Sequence, residues 1–263
     1  DENGTVMPST LCSQWAGIDW EKFRASGANP RQILFKAFED GIFRNNDPHH
    51  TGINQTAKHL GGGNMGHLFG LDPLDEKSLT EGMMEGRRQA VEFLRYYRDY
   101  IPGYENVELT ATAGLPGIRE SRRITGDYIL GLEDFKIRAV FEDEIGRYSY
   151  PIDIHPASTA KEDQEEFEKF IHGLRFKPGE SYGIPYRILT VKGFRNLLNA
   201  GRSVSADRYM QGSIRVMPGC FITGQAAGTA AAIACANDND IRGFSTGKLR
   251  SELKKLGAYL PEV

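Results

Sequence analysis

Cysteine is scarce in this chain of 263 residues. The three present, Cys12, Cys220 and Cys235, are odd in number and form no CxxC pair. That argues against both a disulfide framework and a thiolate zinc site. None of the six histidines stands in HExxH or another metal-ligand spacing, so no metal site is expected. Neither charge sign is in excess. The 32 basic and 35 acidic side chains leave a formal net charge of −3, which gives no electrostatic case for nucleic acid or an anionic membrane. Long apolar runs are missing as well. The longest run of small apolar residues, 226–236 with Thr229 inside it, is far shorter than the roughly 20 residues of a membrane span. The first residues carry no basic segment followed by an apolar one, so no signal peptide is read. What remains, 40% apolar and 25% charged residues, is the composition of a soluble globular protein, cytoplasmic or periplasmic. Its length suits one large domain or two smaller ones.

Hydrophobic spacing supplies the elements. Leu34, Phe35, Phe38 and Ile42 fall on one side of a short helix over 31–43, and the NNDP run at 45–48 breaks the chain after it. A long helix is predicted over 78–100. Ser78 and Glu81 fit a capping box, Met84, Val91 and Leu94 share a face, and Pro102-Gly103 stops it. Residues 107–112, 137–141, 148–154 and 182–191 read as strands, the last interrupted by Pro185. Thr159 with Glu162 opens a second helix carrying Phe167, Phe170, Ile171 and Leu174. Residues 196–200 read as a short apolar strand, 224–236 as a helix of small residues, and 245–256 as an amphipathic helix. Leu249, Leu253 and Leu256 line its apolar face, and Gly257 ends it.

Two glycine patterns compete for attention. GGGNMG at 61–66 satisfies GxGxxG, but that fingerprint means a dinucleotide loop only between a buried strand and a helix. QTAKH before it is no buried strand and LDP after it ends any helix, so a flexible loop is expected. The later pattern is stronger. An apolar strand runs into Gly201, Asp207 follows, and GQAAG at 224–228 opens a helix. Small side chains let a ligand approach the backbone. Free N–H groups at a helix start favour a carbonyl oxygen or an anionic ring. Close helix packing through Gly224 and Gly228 explains the same residues equally well.

NLLNAGRSVSAD (196–207), SIRVM (213–217) and GQAAGTAAA (224–232) together resemble the C-terminal FAD-binding segment of a bacterial FAD-dependent oxidoreductase family, whose members are sometimes labelled xanthan lyases. GIRESRRI (117–124) with Gly126 and Tyr128, YPIDIH (150–155) and IPYR (184–187) are similar to further family signatures. The resemblance covers roughly residues 5–260. The family opens with an FAD fingerprint strand–loop–helix that is not found here, so this chain is expected to begin downstream of it. The resemblance implies that Gly201, Arg202, Ser205 and Asp207 line the ribityl and pyrophosphate side of FAD. It also implies that Met217, Gly224, Gln225, Ala226 and Ala227 meet the flavin ring.

Candidate substrate-side residues come from charge and pairing. Arg119, Arg122 and Arg123 stand close together with Glu120. Guanidinium forks suit a substrate carboxylate, a sugar-acid oxygen or a cofactor phosphate; a solvated charge run is the alternative. His155 follows Asp153 by two residues and reads either as a general base with an orienting carboxylate or as a plain packed pair. Tyr186 and Arg187 add a hydroxyl and a cation to the same candidate pocket, though a packed aromatic is the commoner role for Tyr186. The expected architecture is mixed α/β. A mainly antiparallel sheet with covering helices is assigned to 1–192, and the last strand–helix portion of a Rossmann-like FAD-binding domain to 193–263. The expected activity is that of part of an FAD-dependent oxidoreductase acting on a small polar or carbohydrate-like substrate. The alternatives are a polysaccharide lyase of the xanthan type and a non-catalytic ligand-binding domain.

Overall fold

The computed structural model describes residues 6–48, 50–155 and 174–261. They form two compact units, Val6–Arg119 and Glu120–His155 with 174–261.

The first unit holds a four-stranded antiparallel sheet in the order β2-β3-β1-β4, from β1 (Ser13–Ala16), β2 (His50–Ala57), β3 (Leu60–Met65) and β4 (Glu108–Thr112). Three helices accompany it: α1 (Trp20–Ser26), α2 (Pro30–Glu39) and α3 (Glu76–Tyr100). Asn29 caps α2 by accepting from Arg31 and Gln32 N–H, with Pro30 in its first turn, as helix starts prefer. The long helix is present as expected, but its cap is Asp75, whose carboxylate accepts from Ser78 N–H at 2.7 Å. The Ser78 hydroxyl accepts instead from Asp72 N–H at 2.8 Å. Met84 and Val91 are exposed, and the buried face carries Phe93, Tyr96 and Tyr97. The rings decide this, because aromatics bury the most area and a buried hydroxyl is tolerated once bonded. Tyr96 donates to Pro30 O and Tyr97 to Met65 Sδ at 3.3 Å. With Trp15, Ile18, Leu34, Ile101 and Tyr104 they make the core of this unit.

The GGGNM part of the run is a strand, not a loop, and Gly66 ends it at φ +77°. β3 pairs with both β1 and β2. A Cβ on Gly61 would run into Ile53 Cγ2, and one on Gly63 would lie 2.7 Å from Trp15 Nε1 and 2.8 Å from Ser13 Oγ. The glycines let a central strand lie directly under large neighbours, and a strand without side chains shows no alternation to read. Gly63→Ala is expected to cost about 1–3 kcal/mol by overpacking. Gly62→Ala, whose Cβ would sit 3.6 Å from Thr56, is expected to stay within about 0.5 kcal/mol of the parent. Paired thermal melts check this, and equal melting temperatures would remove the packing explanation.

The second unit contains α4 (Leu132–Lys136), the antiparallel pair β5 (Glu144–Tyr148) and β6 (Tyr182–Pro185), α5 (Arg208–Ile214), α6 (Met217–Cys235) and α7 (Thr246–Lys255), with 3-10 turns at Tyr186–Ile188 and Gly201–Ser203. Several expected strands are corrected. Residues 137–141 follow α4 as a turn in which Arg138 takes φ +54° and lays its guanidinium over Phe176, 4.1 Å from the ring centre. β5 begins earlier than the expected 148–154 strand and ends at Tyr148. β6 stops at Pro185, where the missing N–H ends the ladder. Residues 196–200 form no strand: Leu198 makes a single bridge to Thr190, and Leu197 is 44% exposed. α7 is capped by Ser245 and buries Leu249 and Leu253, while Leu256 is exposed. The helix expected from Thr159 lies outside the described residues. The expected class, helices mixed with antiparallel sheet, is the observed one. Among the described residues no single helix is long and apolar enough to cross a membrane. α5 and α6 reach that length only as a pair bent by 91°.

Candidate functional site

The α6 helix begins at Met217, so Gly224 lies in its second turn and not at its start. The start has no side-chain cap, and Pro218 occupies its first turn. The positive dipole end therefore lies at Met217, while Pro218 has no N–H and the buried Gly219 turns its N–H to the Tyr148 hydroxyl. The helix is apolar on every side. It buries Gly219, Thr223, Ala226 and Ala230. Met217 and Phe221 are 70% and 68% exposed, and Gly224, Gln225 and Gly228 share their exposure. A Cβ on Gly224 or Gly228 would meet no atom within 4 Å. Close packing through these two glycines is therefore not realised; they border open space. Gly219 behaves oppositely, since a Cβ there would strike Ile214 O.

The 3-10 turn Gly201–Ser203 lies against this end of α6. Gly201, at φ +79°, donates its N–H to Thr223 Oγ1 at 3.0 Å. Its missing Cβ would stand 4.0 Å from Cys220 Sγ. The exposed Arg202 acts electrostatically on the Cys220 thiol. Burial pushes that thiol up, outweighing the pull of Arg202 and Arg215. Gly201 and Arg202 thus lie beside Cys220 and Thr223 of α6; along the same helix Met217, Gly224 and Gln225 are exposed, Ala227 is half-buried and Ala226 is buried on the inward side. Ser205 and Asp207 lie deeper. Ser205 is buried against Gly126, and among the described residues its hydroxyl has no hydrogen-bond partner. Asp207 caps two helices at once, accepting from Met210 N–H at 2.8 Å and Leu132 N–H at 2.7 Å. Both its oxygens are engaged by backbone.

A buried charge network precedes the helix. Arg215 donates to Asp153 O at 2.7 Å and to Asp153 Oδ2 at 3.0 Å. Asp153 Oδ1 is 3.2 Å from His155 Nε2. Gly212 makes room for this approach, because a Cβ there would lie 2.9 Å from Ile154 Cγ1. Desolvation lowers the Arg215 guanidinium below its ordinary pKa, against the pull of Asp153, Tyr150 and Glu120. Its Nε is buried without a partner among the described residues. Glu120, also buried, pairs with Arg123 at 3.6 Å. Arg215 escaped the sequence reading because a lone arginine inside the apolar SIRVM run carries no spacing signal.

The remaining candidates are dispersed. Arg119, in the first unit, is buried and donates to Pro8 O and to Thr10 Oγ1, the latter at 3.2 Å. Arg122 is exposed. Tyr186 donates its hydroxyl to Ile241 O at 2.8 Å. Arg187 forks onto Asp143 at 3.0 and 3.3 Å and lies over the Tyr128 ring. His155 is thus brought to Asp153 and Arg215, while Tyr186 and Arg187 are engaged elsewhere. Among the described residues no group of three or more His, Cys, Asp or Glu is placed to hold a metal.

Comparison with curated proteins and with solved structures found no match. The sequence model of a family described as FAD dependent oxidoreductase matches residues 6–253, nearly the whole chain that builds both units, and the chain belongs to that family.

Proposed function

We propose that this chain forms part of an FAD-dependent oxidoreductase acting on a small polar or carbohydrate-like substrate. Residues 193–263 would supply the C-terminal portion of its FAD-binding domain and residues 1–192 its substrate side. The observation that supports this best is the open backbone at Gly224 and Gly228 on the exposed face of α6, framed by Met217 and Phe221, beside the Gly201 turn and the helix start. A flat ring needs backbone without side chains in its way, and its electron-rich edge needs donors and positive charge. Gly224, Gln225 and the half-buried Ala227 with Met217 would flank the ring, Ala226 would seat the helix from its buried side, and Gly201 and Arg202 would take the ribityl–phosphate side. FAD itself supplies the electron-accepting chemistry. Asp207 would contribute by capping α4 and α5, and Ser205 through its unpartnered hydroxyl. Arg215 would set the positive potential of the helix start. His155, held by Asp153, is the group suited to move a proton, and Arg122 is open to a substrate anion. Arg119, Tyr186 and Arg187 would act by holding the walls. The lyase alternative is weaker, because Tyr186 and Arg187, which it would draft, already bond to Ile241 and Asp143.

The natural full-length protein, purified without denaturant, is expected to show flavin absorbance or to gain it on adding FAD. Added FAD is expected to shift the amide signals of Gly201 and of residues 217–228. Absence of both would remove the flavin reading.

A further inference from the structure

The first unit carries a second cleft, unconnected with the flavin argument. It measures about 210 Å³ and lies along the N-terminal half of α3. We propose that it binds a small uncharged polyol of about the size of one sugar ring.

The walls are held by packing. His67 is buried, and Asp47 Oδ2 lies 3.0 Å from both its backbone N and its ring Nδ1. His67 O accepts from Gln89 Nε2 at 2.9 Å. The chain turns into this position at Gly66, φ +77°, where a Cβ would stand 2.5 Å from Gln89 Oε1. On the helix side a Cβ at Gly82 would collide with Leu71. Phe69 stands edge-on to the His67 ring at 5.3 Å. A cleft with fixed walls loses little entropy on binding, which small ligands need.

The lining selects the ligand class. Asn45, Ser78 and Gln89 offer amide and hydroxyl groups beside the His67–Asp47 pair, and Leu68, Phe69 and Leu71 an apolar wall. Among the described residues no Lys or Arg lines the cleft, while Glu81 and Glu85 do, which disfavours an anion. The carboxylates are also partly satisfied. Glu85 pairs with Arg44 at 3.0 Å and with Arg88 at 3.6 Å, and Glu81 is 4.0 Å from Lys77. Glu85 is thereby compensated, whereas the Glu81–Lys77 pair is exposed at both ends and leaves the Glu81 carboxylate open to a hydroxyl donor. Hydroxyl donors facing carboxylates and amides, with a C–H face on Phe69, complete the match, as in small-molecule sites that combine an apolar wall with a few polar groups.

Ligand-observed NMR on this chain, with D-glucose, D-galactose and myo-inositol as probes and ethanolamine and gluconate as charged controls, tests the proposal without FAD. At least one neutral probe is expected to bind saturably, with Kd near 1 mM, equivalent to about −4 kcal/mol. Phe69→Ala and the exposed Glu81→Gln are each expected to weaken it at least fivefold, with melting curves confirming that Glu81→Gln remains folded. Saturable binding of ethanolamine or gluconate alone, no binding of any neutral probe, or affinity unchanged in both variants would overturn it.

Discussion

Glu144→Ala is expected to lower the stability of the second unit by about 3–5 kcal/mol, the usual result of removing one partner from a buried ion pair. At roughly 2–4 °C per kcal/mol for a unit of this size, the melting temperature should fall by about 6–20 °C. Glu144 is fully buried on β5. Its Oε2 is 3.2 Å from Arg147 Nη1, and its Oε1 is 4.0 Å from Arg250 Nη1. Both arginines are themselves nearly buried and further tied. Arg147 donates to Ser181 Oγ at 2.9 Å and Ser181 O at 2.8 Å. Arg250 donates to Glu144 O and Pro261 O, each at 2.8 Å. Neither guanidinium can swing into water without breaking these bonds, so loss of the carboxylate leaves two buried cations facing each other. Glu144→Gln keeps the shape and loses the charge, and should fall between the two. The clamp also explains Gly183, where a Cβ would strike the Glu144 carboxylate. A Glu144→Ala melt within about 2 °C of the parent would show that the clamp does not stabilise the unit.

The long helix, the short helix at Pro30 and the terminal helix were legible in outline because apolar spacing, as at Leu249 and Leu253, is a local property. Detail was lost on α3, where the expected Ser78 cap and the Met84 and Val91 face gave way to Asp75 and to Phe93, Tyr96 and Tyr97. β3 was illegible for the opposite reason. Its glycines answer to Trp15 and Ile53, which are distant in sequence, and leave no alternation of their own. The expected strand at 196–200 failed because an apolar run becomes a strand only with a neighbour to pair with, and Leu198 finds one bridge. At the candidate site, the clustering of the Gly201 turn with α6 followed from the order of the motifs. Which side chains are spent on structure did not. Asp207 reads like a hydroxyl acceptor, yet backbone amides 75 residues apart from it and three residues along take both its oxygens. Tyr186 and Arg187 are neighbours in the chain but bond to Ile241 and Asp143 respectively. Such partners are set by tertiary contacts that no window of sequence contains.

Gly224→Leu tests whether the open glycine of α6 serves a ligand, by acting in opposite directions on the free chain and on FAD binding. Within α6, Gly224 is exposed and a Cβ meets nothing within 4 Å. In a helix interior glycine is about 0.8–1 kcal/mol less favourable than a good helix former, so Leu at this position should raise the melting temperature of the FAD-free chain by a few degrees. If glycine is there to let a flat ring reach the backbone, the same change should weaken FAD binding at least tenfold, equivalent to about 1.4 kcal/mol. A residue that costs stability in the free protein and gains it back in the complex is the signature of a binding position rather than a packing one. Gly228→Leu is the internal control. It is equally open and should stabilise the free helix equally, but it lies one turn farther from Gly201 and the helix start, so its effect on FAD should be smaller. Gly219→Ala marks the other extreme, since its Cβ would strike Ile214 O and destabilise the chain with or without FAD. Thermal melts and FAD titration of the three variants in the full-length protein resolve the order. Unchanged FAD affinity in Gly224→Leu would move the flavin away from this face, and with it the proposed roles of Gln225, Ala226 and Ala227.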